Sequence, residues 1–325
     1  MKRAREGGLK DPTPARLAAA VEAAVVQARR RWTARALERE IAVRESFPRG
    51  AVRTAIRRLV DRGILEYQYL FGQSYLVMSF RRPVAVGERF VIIPPGCKDV
   101  AWPDRLPLCL APGSAFGSGR HPTTRLALQG LEKCWTRGWP SAGHAERALR
   151  AIDIGTGSGV LAIAAARLGV LAVTAVDIDA CARSEAAANI ALNAAMDRIT
   201  VTDADLGDLA DSFDVVIANL RLPTLVQLLP WVRCHQPQMG CLVVSGIRQN
   251  EWGVLKARYA DAGYHPLWYG REAGWVGGLF RASIGEKPRC CVADDGNDLE
   301  SPRGPSQSHH CILDKTQHMV CIVHR

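Results

Sequence analysis

No stretch of about 18 consecutive uncharged apolar residues occurs in this sequence of 325 residues, which excludes an apolar membrane-spanning helix. Glycine every third residue and sustained heptads are also missing, which excludes collagen and coiled coil. With 48% hydrophobic and 23% charged residues, the composition is that of a globular chain rather than a disordered one. Paired cysteine spacing is absent as well. Cys97, Cys109, Cys134, Cys181, Cys234 and Cys241 are scattered, several within apolar runs, and read as reduced, mostly buried thiols of a cytoplasmic protein. An export leader is not expected. Lys2, Arg3 and Arg5 precede an Ala-rich stretch, but Glu22 interrupts it and no credible cleavage site follows, so the segment reads as a helix.

Excess charge is lacking over most of the chain and concentrated at one end. Residues 1–82 hold 18 Lys plus Arg against 8 Asp plus Glu, whereas the remaining 243 residues hold 24 of each. The net charge of +10 therefore sits in the first quarter. Such asymmetry fits a head that meets something acidic, nucleic acid being the usual case; a solvated Arg-rich surface reads equally well, because Arg outnumbers Lys 35 to 7. The length suggests two domains.

In the head, Thr13-Pro14 is a helix start, a capping hydroxyl followed by proline at the first helical position, and a helix to about Arg30 follows. Thr33 caps a second helix to about Ala42. A third runs from the Ser46–Gly50 turn to near Gly63, with Val52, Ile56, Leu59 and Val60 on a buried face and Arg49, Arg53 and Arg57 along another. Ile64–Tyr69 and Tyr75–Phe80 read as a hairpin around Phe71-Gly72-Gln73-Ser74. Three helices and a hairpin, with RGAVRTAIRRLVDRGIL as the recognisable run, resemble an α+β winged helix-turn-helix domain. That resemblance implies a third helix able to enter a DNA major groove, with Arg49, Arg53 and Arg57 as contacts to nucleic acid or a nucleoprotein. Winged helices also dimerise and cap substrates, so a protein partner or a second subunit fits too.

From Pro83 the pattern changes. Glu88–Ile93 alternates as a strand, and Pro112–Thr124 is a loop shaped by three glycines and two prolines, with Thr123 or Thr124 capping a helix from about Arg125 to Trp135. Ala151–Val160 then runs a short apolar strand into Gly155-Thr156-Gly157-Ser158-Gly159, followed by an Ala-rich helix. The dinucleotide fingerprint needs its last glycine where Val160 stands, which disfavours a pyrophosphate ligand; a bare turn of this kind suits S-adenosylmethionine. A second strand, Leu171–Val176, ends at Asp177, 18 residues after Gly159, placed to accept from two ribose hydroxyls. Asp179 reads as a helix cap, and Asp203 or Asp205 after the third strand can reach an adenine amino group. The fourth strand, Phe213–Ala218, ends at Asn219, and the fifth, Cys241–Ser245, at Gly246. Glu251–Ala262 is helical and Gly274–Arg281 is a last hairpin strand. Alternating strands and helices predict a doubly wound parallel sheet with its ligand at the strands' carboxyl ends.

The segments VAVGERFVIIPPG, PGSAFGSGRHPTT, AIDIGTGSGVLAIAAARLG, AVDIDACA, FDVVIANL and GWVGGLF resemble the methyltransferases of ribosomal large-subunit protein eleven, the PrmA type, across about Pro83 to Ser283. The resemblance implies a Rossmann-like seven-stranded methyltransferase sheet over 83–284, a head over 1–82 and a tail over 285–325. It implies S-adenosylmethionine as cofactor and a protein or peptide amine as acceptor. Phe116, Thr123 and Thr124 would close over the cofactor. Asp153, Gly155 and Gly157 would hold its methionine end, Asp177 its ribose and Asp205 its adenine. Asn219 would sit beside the transferred methyl, and His121 would act catalytically or shape its loop. Asp153 can equally bond the glycine turn's own amides. Two departures stand out: the family's front domain is a ferredoxin-like sandwich, and Arg221 stands where the family has apolar or small residues. A cation at the acceptor mouth would favour an anionic acceptor, and a side chain that points to solvent reads equally well. The alternatives are a small-molecule methyltransferase with a capping or dimerising head, and a DNA-binding regulator sensing S-adenosylmethionine. The tail, from Gly285 to about Ser308, is rich in Asp, Ser, Pro and Gly and reads as disordered; its Cys and His residues fit no standard zinc spacing, and no metal is expected.

Overall fold

A computed structural model describes residues 13–26, 31–70, 72–97, 102–136, 149–282, 309–313 and 319–323. The chain divides into two compact units: Met1–Val84 with Gly96–Ala101 and Glu272–Gly274, and the remainder.

The first unit is built from α1 (Pro14–Val26), α2 (Ala34–Arg44), α3 (Arg49–Asp61), β1 (Leu65–Leu70) and β2 (Gln73–Met78). Thr33 caps α2 by accepting from the Ala36 N–H at 3.3 Å. β1 and β2 pair antiparallel, and Trp32 adds an antiparallel bridge to Leu76. Val21, Leu37, Ile41, Val52, Ile56, Leu59 and Leu65 form one core. Val60, expected on the buried face of α3, is only partly covered at its edge. The expected end of the first helix, residues 27–30, lies outside the described residues.

The second unit opens with a three-stranded sheet, β3 (Val84–Val86), β4 (Phe90–Ile93) and β5 (Leu106–Cys109), in the order β3-β4-β5. β5 pairs parallel to β4 and was not anticipated, because Leu106-Pro107-Leu108-Cys109 is short and carries a proline. Then come α4 (Pro122–Thr136), β6 (Arg150–Ile154), α5 (Val160–Arg167), β7 (Ala172–Val176), α6 (Ala180–Leu192), β8 (Ile199–Thr202), β9 (Val215–Asn219), α7 (Leu222–His235), β10 (Cys241–Arg248), α8 (Trp252–Asp261), β11 (Tyr264–Glu272) and β12 (Trp275–Ala282). Seven of these strands form a mixed sheet in the order β11-β12-β10-β9-β6-β7-β8. β8, β7, β6, β9 and β10 pair parallel and β12 joins β10 antiparallel. The chain order turns back between β6 and β9, the crevice where open α/β sheets bind ligands. Ile152, Ile154, Val216, Ala218, Leu242 and Val244 bury one face against residues of α7 and α8, including Leu228, Val232, Leu255 and Tyr259.

Three sequence expectations need correcting. The helix after the shaped loop begins at Pro122, so Thr123 and Thr124 lie inside its first turn rather than capping it; proline at the first position starts the helix earlier. Of the tail, residues 285–308, expected to be disordered, lie outside the described residues, while further on β13 (His309–Leu313) and β14 (Met319–Val323) pair antiparallel where no strand was expected. Cys234 is disulfide-bonded rather than reduced, which scattered spacing could not reveal. Among the described residues, no helix is long and apolar enough to cross a membrane.

Candidate functional site

Between β6 and α5 the backbone turns through Gly155, Gly157 and Gly159, at φ of 72°, 55° and 80°, a region costly for residues with a Cβ. Gly157 has a second reason to be glycine: a Cβ there would strike the Phe116 carbonyl oxygen. Phe116 accepts from the Ser158 N–H at 2.8 Å, so the Phe116-Gly117-Ser118-Gly119 segment lies directly on the turn.

The chain leading into that segment, Cys109–Ala115, is held from the side by α6 and its C-cap Asn193. Glu185 accepts from the Ser114 and Ala115 N–H groups, both at 2.9 Å. Asn189 accepts from Ala111 N–H at 3.0 Å and donates to Ser158 O at 2.9 Å. Asn193 accepts from Cys109 N–H at 2.9 Å and donates to Cys109 O at 2.7 Å. Arg125 donates to the Gly119 and Arg120 carbonyls at 2.8 and 2.7 Å. Sequence reasoning missed this clasp; its signal was polar residues at four-residue spacing, 185, 189 and 193, on an otherwise Ala-rich helix.

His121 accepts from the Thr123 N–H at 3.3 Å and lies 2.8 Å from the Thr123 hydroxyl through the same Nδ1. It thereby caps the start of α4, which is the loop-shaping role. Its ring also stands 5.2 Å from Phe116 and edge-on to Trp275 at 4.9 Å. Phe116 is half exposed, whereas Thr123 and Thr124 are buried.

At the tip of β7, Asp177 accepts from Gly157 N–H at 2.9 Å and from Asp179 N–H at 3.0 Å. Asp179 caps α6 as expected, accepting from Cys181 N–H at 2.9 Å. Beyond β8 the two candidates part: Asp203 pairs with Arg183 at 2.9 Å, and Asp205 caps a short 3-10 turn through Gly207 N–H at 2.9 Å. Asn219 ends β9, in parallel register with Ser245 within β10, so both side chains leave the same face of the sheet. Leu220, next in line, donates its N–H to Ser245 O at 3.0 Å.

Buried polar atoms are normally paired. Five here are not: Thr124 Oγ1, Asp153 Oδ1, Ser158 Oγ, Asn219 Oδ1 and Ser245 Oγ, all on the segments that converge at the carboxyl edge of β6, β9 and β10. Unspent polar atoms beside a turn with no Cβ fit a ligand such as S-adenosylmethionine, whose amino, carboxylate and hydroxyl groups need partners.

Asp153 is fully buried, and its Oδ2 accepts from the Thr156 hydroxyl at 2.7 Å and from Ala162 N–H at 3.1 Å. It ties the Thr156 side chain to the first turn of α5, whereas the turn's own amides go elsewhere, those of Gly155 and Thr156 to Val176 O and that of Gly157 to Asp177. Burial raises its pKa from 3.8 to about 7, Asp177 adding to the rise while the Thr156 and Ala162 hydrogen bonds oppose it. Between these values the folded chain keeps a proton that the unfolded chain releases, so this contribution to stability falls as pH rises. Asp153→Asn is therefore expected to gain stability relative to wild type between about pH 4 and pH 7, read as a difference in melting temperature that increases over this range and then levels off. A flat difference would show that Asp153 stays ionised in the fold.

In the first unit, Arg49 and Arg53 both reach the buried Glu38, Arg49 at 3.0 Å and Arg53 at 2.9 and 3.1 Å. The Arg53 hydrogen bond, with both guanidinium charges, holds the Glu38 carboxyl below its usual range against the effect of burial. Of the three arginines expected to face a partner, only Arg57 is exposed without such a tie.

A turned-back α/β sheet with a glycine cradle, a carboxylate at the tip of β7 and an amide at the tip of β9 defines a domain of the α/β methyltransferase class. Residues 77–282 match the family model described as ribosomal protein L11 methyltransferase (PrmA), and the chain belongs to that family. A ribosomal protein L11 methyltransferase of Geotalea uraniireducens (strain Rf4) is 38% identical over 199 residues, 61% of this chain and 63% of that protein. One from Pelobacter propionicus (strain DSM 2379 / NBRC 103807 / OttBd1) is 38% identical over 200 residues, 62% of this chain and 63% of that protein. The crystal structure of a ribosomal protein L11 methylase from Lactobacillus delbrueckii subsp. bulgaricus superposes with a TM-score of 0.54 at 29% identity, covering 62% of this chain and 99% of that one. The chain thus spans a little under two thirds of these curated relatives, and residues 1–76 lie outside the family match.

Proposed function

We propose that this chain is an S-adenosylmethionine-dependent methyltransferase acting on an amino group of a protein, with its first unit, a winged helix, selecting the acceptor. The observation that carries the reading is Asn219, whose amide oxygen is buried and unpartnered at the tip of β9 within a sheet of the methyltransferase family. Asp177 would accept from the ribose hydroxyls, the bare Gly155–Gly157 backbone would pass close to the methionine end, and Phe116 would cover the pocket. S-adenosylmethionine, when bound, supplies a methyl already activated on a sulfonium sulfur. The chain's work is then positioning. Asn219 Oδ1 and the Leu220 carbonyl accept the two N–H groups of a neutral amine and aim its lone pair at the methyl.

A protein acceptor is supported by the similarity to ribosomal protein L11 methyltransferases. The winged-helix assignment is supported by three helices, the hairpin and the Trp32–Leu76 bridge. Arg49 and Arg53 are engaged by Glu38 yet stay more than half exposed, so α3 offers a partly neutralised basic face to a partner. The test incubates the full chain with labelled S-adenosylmethionine and separated large-subunit ribosomal proteins. Label on an amine of a protein is expected; failure of the folded chain to bind S-adenosylmethionine would overturn the proposal.

A further inference from the structure

Two arginines follow the strands that carry Asn219 and Ser245. Arg221 occupies the N-cap position of α7, two residues beyond Asn219, and is exposed. Arg248 ends β10, three residues beyond Ser245, is exposed, and its guanidinium carbon lies 3.8 Å over the Trp275 ring. Trp275 in turn contacts His121, and His121 contacts Phe116. Neither arginine has an acidic partner among the described residues. The nearest carboxylate in sequence, Glu251, accepts from the Arg248 backbone N–H at 2.7 Å.

Resting on the methyltransferase reading above, we infer that the acceptor is an acidic peptide segment: the amine to be methylated is flanked by carboxylates that Arg221 and Arg248 bind. An ammonium group alone would be repelled by two cations without acidic partners on the chain that follows Asn219 and Ser245. Carboxylates beside it reverse the sign of the encounter. Arg248, laid flat on an indole, has little rotamer freedom left to lose and presents its fork for bidentate contact. Both cations also favour the neutral form of the incoming amine, the form that can attack the methyl. The two arginines thus act as specificity residues.

The probes are two synthetic peptides with a single central lysine, one flanked by glutamates and one by glutamines. Binding is measured on the full chain saturated with S-adenosylhomocysteine, and methyl transfer is measured with S-adenosylmethionine. The glutamate peptide is expected to bind about tenfold more tightly, the scale of two partly screened charge-assisted contacts, and to lose that advantage in high salt. In Arg221→Gln/Arg248→Gln the preference should shrink to within about twofold, with melting temperature and S-adenosylmethionine affinity unchanged. Equal binding of the two peptides, binding of neither, or a preference that survives the double substitution overturns the inference. So does arginine-dependent binding of a short oligouridylate in place of the glutamate peptide, which would assign the pair to phosphate. Loss of S-adenosylmethionine binding itself would mark failure of the methyltransferase reading; intact cofactor binding and transfer without a charge preference would mark failure of this inference alone.

Discussion

Asp177→Ala is expected to weaken S-adenosylmethionine binding by at least about 100-fold, measured by calorimetric titration. A charged acceptor bonded to a hydroxyl contributes about 1.5–3 kcal/mol, and two ribose hydroxyls would be lost together. The same carboxylate also accepts from Gly157 and Asp179 N–H, so its removal loosens the glycine turn and the entry to α6. A modest drop in melting temperature should therefore accompany the affinity loss. Asp177→Asn removes the charge but keeps one of the two backbone acceptors, because its single amide oxygen can serve either Gly157 N–H or Asp179 N–H and not both. Near-normal affinity in Asp177→Ala would move the ribose contact elsewhere on the carboxyl edge.

The second large effect belongs to Asn219→Ala. Its amide oxygen is buried without a partner, so truncation breaks no hydrogen bond in the free protein and the fold should be retained. What is lost is the acceptor that orients the incoming amine. A misplacement of about 1 Å in the attacking atom is worth about 100-fold in rate, and a fall in kcat of that size is expected. S-adenosylmethionine affinity should fall by less than about tenfold. A variant that loses affinity in proportion to rate would show Asn219 to be chiefly a cofactor contact.

The sheet was legible because each parallel strand is a short apolar run that ends in a chemically distinct residue. That Asp177 and Asn219 stand at strand tips was readable from the strand pattern, whereas the role of Asn219 was implied only by the family resemblance. The head's helices were legible from Thr33 and from the Val52, Ile56 and Leu59 period. Less legible were the contacts a side chain chooses once several are within reach. Asp203 took Arg183 and Asp205 took a backbone amide, a choice set by the path of the chain after β8. Arg49 and Arg53, exposed by helical period, folded back on Glu38 because a buried carboxylate requires cations more than solvent does. Unpaired atoms such as Ser245 Oγ and Thr124 Oγ1 leave no trace in sequence, because burial without a partner exists only in three dimensions.

The clasp of Glu185, Asn189 and Asn193 has a consequence for the order in which the protein comes into being. Its bonds join chain positions 70, 71, 78 and 84 residues apart. During synthesis at roughly 5–20 residues per second, the loop leaves the ribosome several seconds before the helix that seats it. Contacts between such distant positions form late and slow folding. The pocket is therefore among the last features to mature, and nascent chains that stop short of α6 carry the loop's sequence without its shape.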